Sequence, residues 1–88
     1  MTSIRSDLYQ RMVASLVQAR KAAGITQAEV GRRVGQRQTF ISKVELGERR
    51  LDAAEFVEFA RAIGADPYAL MQAAEGGPSK VNPGMTSA

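Results

Sequence analysis

The sequence of 88 residues contains neither cysteine nor histidine. Without cysteine the chain can form no disulfide and no thiolate metal site, and without histidine it lacks the commonest general base and metal ligand. The acidic pairs Asp52/Glu55 and Glu55/Glu58 have the spacing of helix caps or a helix surface, and no partnering base accompanies them. We therefore expect no enzyme, no metal and no cofactor.

Long apolar runs are also missing. No stretch approaches the roughly 20 apolar residues that span a bilayer, and the first residues lack the apolar segment of a signal peptide. The length suits one domain around a single modest core, without a second, catalytic domain. These observations predict a soluble, cytoplasmic protein that does not associate with a membrane.

The charges of the sequence are unevenly distributed. The chain carries a net charge of only +3, but residues 20–50 contain eight basic and three acidic side chains, a net of +5. Residues 51–75 contain one basic and five acidic side chains, a net of −4. Such asymmetry suits a protein that turns one face towards a polyanion, although charges that merely solvate helix surfaces would give the same pattern.

Local start and stop signals predict five helices. The first begins at Ser6 or Asp7 and runs to residue 23, where Gly24 ends it. The second begins with a capping box in which the Thr26 hydroxyl and the Glu29 carboxylate each accept from a free backbone N–H, and Gly35 ends it.

The remaining helices follow the same logic. The third occupies residues 38–46 and stops at Gly47, and the fourth opens with a second capping box from Asp52 to Glu55. In the fifth, Asp66 is the cap and Pro67 starts the helix, because proline at the first helical position loses no intrahelical bond. With no alternating strand pattern, the sequence predicts an all-α, compact five-helix domain over residues 1–75 and a flexible C-terminal tail over 76–88.

Residues 26–46 form two predicted helices joined by a short turn containing glycine, which is the pattern of a DNA-binding helix-turn-helix. The residues that carry a family resemblance are Thr26-Gln27-Ala28-Glu29-Val30-Gly31, then Val34-Gly35, then Phe40-Ile41-Ser42-Lys43-Val44-Glu45-Leu46-Gly47-Glu48-Arg49-Arg50. They resemble the phage-repressor-like helix-turn-helix family (Cro and lambda-repressor, or xenobiotic-response-element type). The similarity extends over about residues 12–70.

The resemblance implies that the third helix is the recognition helix in the major groove. Its base-reading residues would be Gln38, Thr39, Ser42 and Lys43. Contacts to DNA phosphates are implied for Gln27, Arg37, Arg49 and Arg50. Each of these side chains could instead be a solvated residue of the helix surface or of a loop. For two further basic residues of the second helix, Arg32 and Arg33, solvation at the surface is our preferred interpretation.

Two further implications concern the scaffold. Arg20 and Glu45 match positions where the family often joins its first helix to the recognition helix by a partly buried ion pair. The sequence also departs from the family pattern, because Arg37 replaces the usual capping serine or threonine, and Gly31 replaces an alanine at a cost of ~1 kcal/mol in helix propensity.

A single recognition helix covers few base pairs, so we expect a homodimer on an inverted repeat with half-sites ~34 Å apart. Tyr68, Leu70 and Met71 are the candidates for the dimer interface, although Leu70 equally suits the core. The sequence thus predicts a dimeric repressor or autoregulator that binds double-stranded DNA. The alternative is a protein-interaction module whose partner is a toxin or a polymerase subunit.

Overall fold

The computed structural model describes residues 7–76, which form five α-helices and no strand. The helices are α1 (Asp7–Ala22), α2 (Gln27–Val34), α3 (Gln38–Leu46), α4 (Ala53–Ala62) and α5 (Pro67–Gly76). The all-α, five-helix prediction is confirmed. Most of the predicted tail, residues 77–88, lies outside the described residues, while Gly76 is the last residue of α5.

The helix ends follow the capping chemistry of the sequence. The α3 bounds are those predicted, whereas α1 ends at Ala22, one residue early. The side chain of Asp52 accepts from the Glu55 N–H at 2.7 Å, and the Glu55 carboxylate accepts from the Asp52 N–H at 2.9 Å, so the capping box of α4 is complete.

The capping box of α2 is only half formed. The Thr26 hydroxyl accepts from the Glu29 N–H at 3.0 Å, as predicted. The prediction for the Glu29 carboxylate was wrong, because this group accepts from the guanidinium groups of Arg32 and Arg33 instead. Two charged donors outcompete one neutral backbone N–H, since hydrogen bonds between ionised partners are about twice as strong.

The core lies where α1, α2, α3 and α4 meet. Each of these four helices contributes buried side chains, as do Leu51 before α4 and Ile63 after it, and two phenylalanines of α4 are the largest. The cluster consists of Leu16, Val30, Ile41, Val44, Leu51, Phe56, Phe59, Ala60 and Ile63. Because α3 buries only Ile41 and Val44 in this core, its opposite face is left to solvent.

The last helix closes the bundle against the first. α5 packs along α1, and the Arg11 Nε donates to the Ala74 carbonyl oxygen at 2.7 Å. α2 packs on α3 and on α4. α2 and α3 therefore lie side by side, whereas α5 packs mainly against α1 and also contacts α4.

Candidate nucleic-acid interface

The turn between α2 and α3 is unusually tight. Gly35 ends α2 with a φ of 75°, a left-handed conformation that side chains other than glycine rarely adopt. The Gln36 N–H then donates to the Gly31 carbonyl oxygen at 2.8 Å. A Cβ atom on Gly31 would lie 2.6 Å from the Gln36 carbonyl oxygen, so the glycine in α2 permits the close approach of the turn.

α3 presents one polar face to solvent. Gln38, Thr39 and Lys43 are exposed and Ser42 is half-buried, while Ile41 and Val44 on the other face are fully buried. All four side chains that the resemblance assigns to base reading therefore lie on the accessible part of one helix. A helix with this exposed face can enter the major groove of DNA, which is wide enough for it.

The start of α3 lacks a side-chain cap. Arg37 occupies the N-cap position in an extended conformation, and its side chain makes no capping hydrogen bond. Its carbonyl oxygen accepts from the Phe40 and Ile41 N–H groups at 3.0 and 3.4 Å. The helix thus begins at the predicted residue without serine or threonine, and the exposed Arg37 guanidinium has no partner among residues 7–76.

α3 is anchored to α1 and α2 by one carboxylate. The Arg20 guanidinium and the Glu45 carboxylate form two hydrogen bonds, Nε to Oε2 at 2.7 Å and Nη2 to Oε1 at 2.9 Å. Their side chains are only 10% and 8% exposed. Arg20 Nη1 also donates to the Ile25 carbonyl oxygen at 2.9 Å, so the guanidinium holds the α1–α2 connection as well.

The same carboxylate reaches the predicted DNA-binding residues. Gln27 Nε2 donates to Glu45 Oε1 at 2.9 Å, and Gln38 Nε2 donates to Gln27 Oε1 at 3.5 Å. The side chains of Arg20, Glu45, Gln27 and Gln38 therefore form a continuous chain from α1 to the first residue of α3. The sequence suggested the ion pair, but nothing in it indicated that the two glutamines would join it.

Comparison with known proteins agrees with this geometry. A helix-turn-helix family model matches residues 16–70, which is more than half of the chain. The chain belongs to this helix-turn-helix family. Among solved structures it is similar to an XRE-family like protein from Pseudomonas syringae pv. tomato str. DC3000, with 49% identity and a TM-score of 0.79 over 86% of this chain and 93% of that chain. No curated protein matches the chain.

Membership in the Cro and lambda-repressor type of helix-turn-helix family makes the protein a DNA-binding regulator of transcription and not an enzyme. Within residues 7–76, no helix is both long enough and apolar enough to cross a bilayer. The same part of the chain contains no group of acidic side chains that could hold a metal ion.

Both arginines that follow the helix-turn-helix motif have intramolecular contacts. Arg49 makes two hydrogen bonds to the Glu55 carboxylate, at 3.1 and 3.2 Å, and its guanidinium lies 4.7 Å from the centre of the Phe40 ring. The contact with Arg49 lowers the pKa of Glu55, and Glu55 in turn raises the pKa of Arg49. The loop after α3 is therefore tied to α4.

Arg50 is held on the opposite side of the loop. Its guanidinium lies 4.2 Å from the centre of the Tyr9 ring, and the Leu51 N–H donates to the Tyr9 hydroxyl at 2.9 Å. Sequence reasoning did not assign a role to Tyr9, because no local pattern shows that α1 touches residues 42 positions later.

The arginines of α2 serve the scaffold of the helix-turn-helix. Hydrogen bonds from Arg32 and then Arg33 lower the pKa of Glu29 to about 2. Arg33 Nη1 also donates to the Ala62 carbonyl oxygen at 2.7 Å, which joins α2 to the end of α4. The three side chains form a surface cluster whose contacts all lie within the domain.

The predicted interface residues on α5 differ in exposure. Tyr68 is 63% exposed, and the Arg61 guanidinium lies 5.8 Å from the centre of its ring. Leu70 and Met71 are half-buried and pack against the core cluster. Only Tyr68 therefore offers most of its surface to another molecule.

Proposed function

We propose that the protein is a homodimeric repressor or autoregulator that binds an inverted-repeat operator in the major groove of DNA. The observation that carries this proposal is the exposed polar face of α3. Gln38 at the start of this face is linked through Gln27 to the buried Arg20–Glu45 pair. Pre-positioned side chains lose less conformational entropy on binding, which favours selective recognition.

Base reading is assigned to the first turns of α3. The Gln38 amide can both donate to and accept from adenine, at N7 and N6, and the Thr39 methyl group suits contact with a thymine methyl. Ser42 and Lys43 lie one turn later, where Lys43 has the reach for guanine O6 and N7. All four are accessible or half-accessible on one side of the helix.

Phosphate binding is assigned to Gln27, Arg37, Arg49 and Arg50. Gln27 is the first residue of α2, where the positive end of the helix favours an anion. Arg37 is exposed and has no partner within residues 7–76, so it can bind a phosphate without losing another contact. Arg49 must share its guanidinium with Glu55, which makes it the weaker candidate of the two.

Dimerisation through α5 is part of the proposal, with half-sites ~34 Å apart on one face of the duplex. Its support is the exposed ring of Tyr68, to which Leu70 and Met71 would add only their accessible parts. The alternative function, a module that binds a toxin or a polymerase subunit, requires a broader apolar patch on α5 than this. A cytoplasmic location, where the protein would encounter its operator, is also part of the proposal.

Selection of bound fragments from a random duplex library tests the proposal directly. It should return one preferred sequence with two-fold symmetry and a spacing of about one helical turn between half-sites. Binding of random duplexes without any selected sequence would refute the repressor function, and an asymmetric single site would refute the dimer.

Two variants then separate base contacts from phosphate contacts. Gln38→Ala should relax the preference at one operator position, because each good bidentate pair discriminates by about 1–3 kcal/mol. Arg37→Gln should weaken binding to all sequences and reduce the salt slope by about 0.9. If Gln38→Ala bound every operator variant with the same affinity as the wild-type protein does, the assignment of base reading would be wrong.

A further inference from the structure

A groove with a volume of about 820 Å³ runs between α1 and the last turn of α3. Leu46 forms one wall, and it is 70% exposed although it is a large apolar residue. The facing wall is a stripe of α1 with an apolar centre, contributed by Val13, Ala14 and Val17. Of the described residues that line it, only Arg50 is already proposed to contact DNA.

The groove continues the exposed face of α3. Leu46 follows Thr39 by seven residues and Lys43 by three, so the helical period places the three side chains on one face. The residues of α3 that point the other way, Ile41 and Val44, are buried in the core. A molecule lying along the base-reading face therefore meets Leu46 and enters the groove without interruption.

Positive charge marks both ends of the groove. Lys21, in the last turn of α1, is exposed and forms no ion pair with any residue between 7 and 76. Arg50 lies at the other end, against Tyr9. Glu45 also borders the groove, but its carboxylate is occupied by Arg20 and Gln27, so the accessible charge is cationic.

The dimensions fit a strand of DNA. Tyr9 and Lys21 are twelve residues apart on α1, or about 18 Å along the helix axis, which matches several phosphates of one strand spaced about 3.4 Å along the duplex. Leu46 lies about 10 Å along α3 from Thr39, and the major groove is about 12 Å wide. A helix that reads bases with its first turns thus brings its last turn to the bordering strand.

We infer that this groove is a binding site for one deoxyribose-phosphate strand of the DNA, with Lys21 and Arg50 on its phosphates and Leu46 packed against a deoxyribose. The inference rests on the proposed function and extends it to α1, which carries no other DNA contact. It explains why an apolar side chain stands exposed between two cations, because a nucleic-acid backbone alternates apolar sugars with anionic phosphates.

The test uses the full chain, the duplex selected by the wild-type protein and a duplex of unrelated sequence. Lys21→Gln should reduce the salt slope of binding by about 0.9 on both duplexes, without changing base preference. Leu46→Ala should weaken binding about three- to tenfold on both, as expected for one lost apolar contact. Hydroxyl-radical footprinting should show that each variant loses sugar protection on the same strand segment of each half-site.

Arg32→Gln is the matched control, because it removes a cation from α2 that lies outside the groove and should leave the salt slope unchanged. An unchanged slope for Lys21→Gln, or unchanged affinity for Leu46→Ala, would overturn the inference. So would a change in sedimentation of Leu46→Ala without loss of affinity, which would make the groove a contact between copies of the chain. If the wild-type protein selects no sequence but Lys21 and Leu46 still affect binding, the operator function fails and the groove assignment stands.

Discussion

The most discriminating prediction concerns Gly31, because sequence and structure give opposite signs for its replacement. Helix propensity alone says that Gly31→Ala stabilises α2 by ~1 kcal/mol. The structure places the added Cβ 2.6 Å from the Gln36 carbonyl oxygen and 3.3 Å from the Arg37 carbonyl carbon. A Cβ atom essentially never comes within 3.0 Å of another heavy atom, so the backbone of the turn must move by several tenths of an ångström or more.

The steric term should prevail. Overpacking of a fixed site typically costs about 1–3 kcal/mol in unfolding free energy. The group that the added Cβ would meet is the backbone of the turn, which is held by the hydrogen bond from the Gln36 N–H to the Gly31 carbonyl oxygen. After subtraction of the propensity gain, we expect Gly31→Ala to lose about 1 kcal/mol of unfolding free energy. For a domain of this size that corresponds to a decrease of about 4–8 °C in Tm.

Urea unfolding followed by far-UV circular dichroism measures this change. Ala28→Gly is the matched control, because Ala28 is an exposed residue of the same helix and its replacement reports propensity without a steric term. A Gly31→Ala protein that is more stable than the wild type by the propensity increment, and that binds DNA unchanged, would refute the argument. Such a result would mean that the backbone of the turn moves at little energetic cost and does not fix the position of α3.

Three other predictions concern the surface. The pKa of Glu29 in the folded protein is about 2 against an ordinary 4.5, so its pairing with the arginines stabilises the protein above about pH 4.5 and ceases to do so as the pH falls towards 2. The difference in urea midpoint between the wild type and Glu29→Gln should therefore shrink over that range. A constant difference would contradict this prediction. Arg49→Gln should raise the pKa of Glu55 towards its ordinary value in an NMR titration, and an unchanged pKa would show that Arg49 does not cause the shift. Tyr68→Ala should weaken dimerisation in sedimentation velocity but leave the unfolding of the monomer nearly unchanged, because the side chain is 63% exposed; an unaltered dimer would place the interface elsewhere.

The helices could be predicted because their signals are local. Asp52 and Thr26 satisfy backbone N–H groups three residues away, and Gly35 and Gly47 adopt the left-handed conformations that end α2 and α3. The start of α3 was predicted correctly although Arg37 supplies no cap. Burial of Ile41 and Val44 holds that helix in place, which agrees with tertiary packing as the main source of helix stability.

The contacts that position the candidate site could not be predicted in the same way. Tyr9 meets Leu51 and Arg33 meets Ala62 across 42 and 29 residues, and only the packed fold brings these groups together. The partner of the Glu29 carboxylate was predicted wrongly for a local reason. The guanidinium groups of Arg32 and Arg33, three and four residues later on the same helix, compete with the backbone N–H for this carboxylate. Gly31 was recognised as a departure from the family, but its close approach to the turn depends on the three-dimensional course of residues 35–37.

Glu45 connects the stability of the fold with the proposed selectivity, and the two effects can be separated. Glu45→Gln leaves the buried Arg20 guanidinium without its counterion, for which we expect a loss of about 3–5 kcal/mol in unfolding free energy. Gln27→Ala spares that pair but removes the link to Gln38, so stability should be nearly retained while base preference at the Gln38 position weakens. A double-mutant cycle of Gln27→Ala and Gln38→Ala on the selected operator measures this coupling. If the two variants were additive, the hydrogen-bonded chain would support the scaffold only, and Gln38 would read its base without help from α2.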